Sequence, residues 1–154
     1  MKGNAQVIDR LNALLSDEVT AISQYMVHSE MCANWGYGRL HEAVEKRAMD
    51  EMRHAETLIA RILFLEGAPI AKTHGLQIGA DVPGQLKADW EAEAGAIKAY
   101  NEAIAVCVAQ GDNGTRGLLE SILKDEEDHI DLIEAQKDQI GQMGLQIYLG
   151  QQVA

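Results

Sequence analysis

Asp50-Glu51-Met52-Arg53-His54 returns 75 residues later as Asp125-Glu126-Glu127-Asp128-His129, and each copy contains Glu-x-x-His. Residues three apart lie on one face of a helix, so each copy aims a carboxylate and an imidazole in the same direction. Two such pairs facing each other make a candidate metal site.

The repeat extends well beyond the motif. At the same offset, Leu11/Leu86, Ala13/Ala88, Glu18/Glu93, Ala21/Ala96, Ile22/Ile97, Tyr25/Tyr100, Cys32/Cys107, Gly36/Gly111, Glu45/Glu120, Asp50/Asp125, Glu51/Glu126, His54/His129 and Ala60/Ala135 are identical. Unrelated sequence of this composition would give about three or four matches over that span, so two helix hairpins related by an internal two-fold are expected.

The repeat also adds two carboxylates. Glu18 and Glu93 each stand 33 positions before their own Glu-x-x-His glutamate and seven before a tyrosine, Tyr25 or Tyr100. Glu and Tyr so spaced share the apolar face of a helix, where a carboxylate is costly unless it is paired or bound to metal. Four carboxylates and two neutral imidazoles are neutralised by two divalent cations. The arrangement of one Glu from each of two helices and Glu-x-x-His from each of the other two is the known pattern of di-metal carboxylate bundles. Oxygen-rich ligation with one imidazole per metal suits iron or manganese better than zinc, which prefers tetrahedral nitrogen and sulfur sets.

Helical periodicity covers most of the chain. Val7, Ile8, Leu11, Leu14, Leu15, Val19, Ile22, Tyr25 and Met26 recur at three-and-four spacing, predicting a helix over about 5–34 that stops at Trp35-Gly36-Tyr37-Gly38. Further helices are expected over about 39–66, 83–110 and 114–140, with a short fifth over 145–152. Asp81-Val82-Pro83 reads as a helix start with Pro in the first turn, and Asn113 or Thr115 as a cap. Residues 67–82 lack periodicity and form a connection of roughly 25 Å or more if extended. The result is one all-α domain over 1–154, a four-helix bundle with one long crossover.

Composition limits the function. A formal charge of −11 disfavours nucleic-acid backbones, which need clustered Lys and Arg, and suits attraction of cations. Neither a signal-peptide core nor a membrane-length apolar stretch is present, so a cytoplasmic protein is expected with no membrane partner. Cys32 and Cys107 are too few and too far apart for a disulfide framework and read as buried thiols.

For Tyr25 and Tyr100 two readings stay open, hydrogen bonding to site carboxylates or core packing. Asp50 and Asp125 read as solvated or interface charges, and His28, His41 and His74 as surface or interface histidines. A step of one residue turns about 100°, so Met52 leaves the metal face. With Met49 and Met26 it forms an apolar patch suited to a second subunit, and a thioether can ligate haem iron.

Taken together, Met1-Lys2-Gly3, Asn34-Trp35-Gly36, Asp50-Glu51-Met52-Arg53-His54-Ala55, Arg61-Ile62-Leu63-Phe64-Leu65-Glu66-Gly67, Asp125-Glu126-Glu127-Asp128-His129-Ile130-Asp131 and Met143-Gly144-Leu145-Gln146 resemble bacterioferritin over essentially the whole chain. The resemblance implies a ferritin-like bundle in a hollow homo-oligomeric shell of 24 subunits that stores ferric mineral. It implies a ferroxidase centre with two iron ions per subunit, held by Glu18, Glu51, His54, Glu93, Glu126 and His129, with Glu51 and Glu126 bridging. It further implies haem b, one per two subunits, with Met52 as axial ligand from each, dioxygen or hydrogen peroxide as oxidant, and a ferredoxin-type electron donor for iron release.

Two positions depart from the family pattern. Glu45-Lys46 stand where members often have Tyr-His, so an inner-wall iron site that uses that histidine lacks it here, although Asp50 remains. Leu132 replaces a Trp after His-Ile-Asp, which removes an electron path through that indole. Other classes compatible with the motif are a small di-iron or di-manganese peroxidase or catalase, and a haem carrier or structural shell with an inert metal site. The chain has no Cys-x-x-Cys module of the rubredoxin type.

Overall fold

A computed structural model describes residues 1–154. Its helices are α1 (Ala5–Asn34), α2 (Gly38–Phe64), α3 (Val82–Ala109), α4 (Asn113–Met143) and α5 (Leu145–Gly150). α1 pairs with α2 and α3 with α4, the two hairpins meet through α1 against α3, and α5 folds onto α4. This is the all-α class expected, four long helices with one long crossover and a short C-terminal fifth. No helix is long and apolar enough to cross a membrane.

The internal repeat is visible in the turns. Gly36 and Gly111 both take positive φ, +81° and +70°, and each is followed by the same capping bond, Tyr37 N–H to Cys32 O and Asp112 N–H to Cys107 O, both 2.9 Å. A left-handed residue that returns the chain onto the last carbonyls ends each helix, and glycine takes that conformation without a Cβ penalty.

Side chains cap three helix starts. Asn4 Oδ1 accepts from Gln6 N–H at 2.8 Å and Asp81 Oδ1 from Gly84 N–H at 2.8 Å, satisfying amides that the first turn leaves free. The cap of α4 is neither Asn113 nor Thr115, both of which lie inside the helix. Asp112 takes the role, accepting from Thr115 N–H at 2.9 Å and from its hydroxyl at 2.6 Å. α4 also runs to Met143, past Gly141, and ends at Gly144.

Apolar burial divides the bundle into two zones with charged residues between them. At one end Leu11, Leu15, Leu58, Ile62, Ala103 and Leu119 pack together, and at the other Cys32, Leu40, Leu86, Ile133 and Tyr148. Along each long helix the sequence passes from one zone to the other through a buried glutamate: Glu18, Glu51, Glu93 or Glu126. Large apolar zones on both sides supply the stability that holds these charges out of water.

The crossover runs along α1 and is fastened to it by side chains four residues apart. Asn12 bonds Ile70 N–H and Ala68 O. Ser16 donates to Ile70 O, while Thr20 Oγ1 accepts from His74 N–H, Gln24 Oε1 from Gln77 N–H, and His28 Nε2 from Gly79 N–H. Residues at successive i+4 positions form one stripe on a helix, and this stripe takes the place of the strand or helix partner that extended backbone otherwise needs.

Candidate metal centre

Glu18 of α1, Glu51 and His54 of α2, Glu93 of α3, and Glu126 and His129 of α4 converge midway along the bundle, all buried. Two overlapping groups form. Glu18, Glu51, His54 and Glu126 make one, Glu51, Glu93, Glu126 and His129 the other, and within each the ligand atoms all lie within 4.8 Å of one another. Glu51 and Glu126 belong to both, which is the geometry required of bridging carboxylates. The two imidazole rings lie 6.1 Å apart.

Each imidazole turns Nδ1 to the centre. His54 Nδ1 is 2.8 Å from both Glu51 and Glu126, and His129 Nδ1 is 3.1 Å from Glu51. Several of these approaches are close without being hydrogen bonds: Glu51 Oε1, Glu93 Oε2, Glu126 Oε1 and His129 Nδ1 are buried and have no hydrogen-bond partner. Buried polar atoms without partners are rare and destabilising. Here they crowd around common points, so the donor set fits divalent cations and satisfies poorly without them.

The electrostatics describe the same demand. Burial pushes Glu18 up to about 8 against the pull of His54, and burial with the charges of Glu51 and Glu18 pushes Glu126 up to about 12 although His54 opposes it. Burial alone would also raise Glu51, but the close imidazoles of His129 and His54 outweigh it and hold that carboxyl below its usual range. Burial disfavours the imidazolium forms, yet Glu126, Glu18 and Glu51 raise His54, and Glu51 and Glu93 raise His129 to about 10. Without metal, protons occupy the places of cations, and metal binding must expel them.

Surrounding groups orient the ligands. Tyr25 Oη donates to Glu93 at 2.5 Å and Tyr100 Oη to Glu18, so of the two readings left open for the tyrosines the hydrogen-bonding one holds. Both phenols are also raised well above their usual range, by burial first and then by the carboxylates they face. Asp50 and Asp125 are not merely solvated. Asp125 lies 3.1 Å from His54 Nε2 and Asp50 3.5 Å from His129 Nε2, each reaching across to the other hairpin's imidazole.

The centre has an open side and a closed side. A cavity of about 310 Å³ touches Glu18, Glu51, Glu93 and Glu126 and opens past Asp17 and His74, between α1, α3 and the crossover. His54 and His129 are not part of its wall.

Known proteins similar to this chain identify its family. A family model for the ferritin-like domain matches residues 8–143. A bacterioferritin of Rhodobacter capsulatus is 42% identical over 148 residues, 94% of this chain and 92% of the relative. A bacterial ferritin of Paramagnetospirillum magnetotacticum is 46% identical over 154 residues, 97% of this chain and 93% of the relative. The chain belongs to the bacterioferritin family.

The motif residue that leaves the metal face, Met52, lies on a groove of about 250 Å³ with Met26, Met49, Ile22, Ala48 and Glu45. Met26, Met49 and Met52 are all exposed. Beside the two motifs, Lys46 turns to Asp50 at 2.9 Å, and Leu132 is 60% exposed. Cys32 and Cys107 are buried and free.

Of the three unmatched histidines, His28 is a correction to the surface reading. It is fully buried, with Nδ1 2.8 Å from Asp89 and Nε2 accepting from Gly79 N–H at 3.0 Å. His41 is held against Ser29, and His74 remains on the surface, 2.8 Å from Asp17.

Proposed function

We propose that the protein stores iron and oxidises it: Fe(II) binds at the six-residue centre, is converted to Fe(III), and is deposited as ferric mineral inside a hollow homo-oligomeric shell of 24 subunits. Membership of the bacterioferritin family supports iron storage. The observation that carries the ferroxidase reading is the cluster of unpartnered buried donors shared between two ligand groups.

In this reading Glu18 with His54, and Glu93 with His129, are the terminal ligands of two Fe(II) substrates, and Glu51 and Glu126 bridge them. The bridges bring two one-electron donors together, so that a two-electron oxidant is served in one encounter. Two Fe(II) and two protons convert dioxygen to hydrogen peroxide, or hydrogen peroxide to two waters. Carboxylate-rich ligation favours Fe(III) over Fe(II) because the harder, more charged ion gains more from anionic oxygen. Tyr25 and Tyr100 hold Glu93 and Glu18 in place, while Asp50 and Asp125 fix the imidazole tautomers that leave Nδ1 free to ligate.

Met52 supports a place for haem b between two two-fold-related subunits, one Met52 thioether from each protomer. The residues fit one half of such a site: a thioether exposed in a methionine-rich groove. Bound there, haem would supply one-electron transfer toward the mineral, with a ferredoxin-type donor outside. The chain's own part is to present the two thioethers and exclude water around them. We place this activity in the cytoplasm.

The experiment is Fe(II) oxidation under air, followed by absorbance, with the particle's size and haem content read from gel filtration. The parent oxidises Fe(II) rapidly in a particle of roughly 400 kDa, about 24 subunits in closed symmetry. A Glu18→Ala, His129→Ala protein that oxidised iron as fast as the parent would remove the site assignment. Retention of haem absorption by Met52→Leu would remove the haem assignment.

A further inference from the structure

A second buried polar cluster lies one turn from the metal centre and is absent from its pseudo-symmetric half. Asp89, on α3 four residues before Glu93, is 1% exposed. Its Oδ1 accepts from Gln24 Nε2 at 3.0 Å and from His28 Nδ1 at 2.8 Å, and its Oδ2 from the Arg47 guanidinium at 3.4 Å. Arg47, itself buried, places its guanidinium carbon 5.3 Å from the centre of the Tyr25 ring, and Tyr25 donates to Glu93. Gln24 and His28 meanwhile hold the crossover at Gln77 and Gly79.

At the 75-residue offset that relates the hairpins, the positions corresponding to Asp89, Gln24, His28 and Arg47 are Leu14, Ala99, Ala103 and Ile122. All four belong to or pack against the larger apolar zone. The carboxylates and imidazoles of the two groups, with their tyrosines and outer aspartates, are therefore matched, and what stands behind the tyrosines is not. Tyr100, which holds Glu18, packs among apolar side chains, whereas Tyr25, which holds Glu93, lies under a buried cation that is fixed by a buried anion.

We propose that Arg47 and Asp89 are positioning residues for the Glu93–His129 half of the centre alone, acting through Tyr25. The inference rests on the metal-binding reading above. A guanidinium over an aromatic face restrains the ring and polarises its hydroxyl as a donor, so Arg47 governs the orientation of Glu93 without touching a ligand. Asp89 keeps Arg47 there and connects the same support to the crossover.

The test separates the two halves with Co(II) as the probe, its binding followed by visible absorbance and calorimetry on the assembled protein. Glu18→Gln leaves the Glu51, Glu93, Glu126 and His129 group complete, and Glu93→Gln leaves the Glu18, Glu51, His54 and Glu126 group complete. Adding Arg47→Met to Glu18→Gln is expected to weaken Co(II) binding on the order of tenfold, the usual effect of losing a support behind a metal ligand. Adding it to Glu93→Gln is expected to change nothing.

Equal weakening in both backgrounds, or none with Glu18→Gln, would overturn the proposal. Where Arg47→Met does not fold, Arg47→Ile with Asp89→Leu removes both charges together and copies the apolar half, with the same split expected. A parent that binds no Co(II) overturns the metal centre itself, a result distinct from two bound Co(II) with no difference between the halves.

Discussion

Nε2 of His54, on α2, lies 3.1 Å from a carboxylate oxygen of Asp125, on α4, although Asp125 immediately precedes a glutamate of the other hairpin's motif. Each motif therefore supplies both a ligand pair and the outer support of its counterpart's imidazole. Asp125→Asn is expected to lower affinity for a divalent cation about tenfold, because the imidazole loses the anion that sets its tautomer. Asp128→Asn, at an exposed position three residues on, is expected to leave it unchanged, and equilibrium Co(II) titration distinguishes the two.

Tyr25 holds Glu93 through a single short bond. Tyr25→Phe removes that donor and leaves a buried carboxylate oxygen without it, a loss of about 1–3 kcal/mol. Urea unfolding of the metal-stripped protein measures it. The difference is expected to shrink when metal is bound, since the cation then satisfies the same carboxylate.

The metal-stripped protein should lose stability as pH rises. Burial lifts Glu18 to about 8, and the neighbouring carboxylates lift His129 to about 10 against burial. Above each group's ordinary value the unfolded chain has released a proton that the folded protein keeps, so stability falls until pH passes the raised value. The melting temperature is expected to decline from about pH 5 and to go on falling past pH 10 without metal, because Glu126 is raised to about 12. Saturating Co(II) reverses the slope, because deprotonated ligands bind cations more tightly. Glu51 acts oppositely: held below its usual range, it favours the fold above that range and ceases to do so in strong acid.

Gly79 closes the crossover against the start of α3. A Cβ there would lie 2.1 Å from the backbone nitrogen of Gln85 and 2.3 Å from the carbonyl carbon of Gly84, atoms that cannot move without unwinding the first turn. Gly79→Ala is expected to cost about 1–3 kcal/mol or more, read as a lower urea midpoint. Gly75→Ala, with nothing near its Cβ position, is expected to be silent.

The bundle and the convergence of the six acidic and imidazole side chains were legible because both rest on local periodicity. Apolar spacing marks the helices, and a 75-residue repeat marks which carboxylates on the apolar faces belong together. What escaped depends on packing between helices. Asp50 steps sideways from Glu51 on its own helix and finds its imidazole on α4, a direction that only the crossing of α2 and α4 determines, although its identity with Asp125 in the repeat was a usable signal. His28 was misplaced for the same reason: its partners, Asp89 and Gly79, lie more than 50 residues away. The spacing of Asn12, Ser16, Thr20, Gln24 and His28 was visible as a polar stripe, but a polar stripe on a helix ordinarily faces solvent, and here it carries the crossover.

The proposed centre takes two Fe(II) in each subunit. Fe(II) added anaerobically in increasing amounts and then exposed to dioxygen measures it most directly, with the amplitude of the fast oxidation phase followed by absorbance. Saturation at two Fe(II) per subunit is expected in the parent, with loss of the fast phase in Glu51→Gln, which removes a carboxylate common to both groups. A fast phase that saturated at another stoichiometry, or that survived Glu51→Gln, would contradict it.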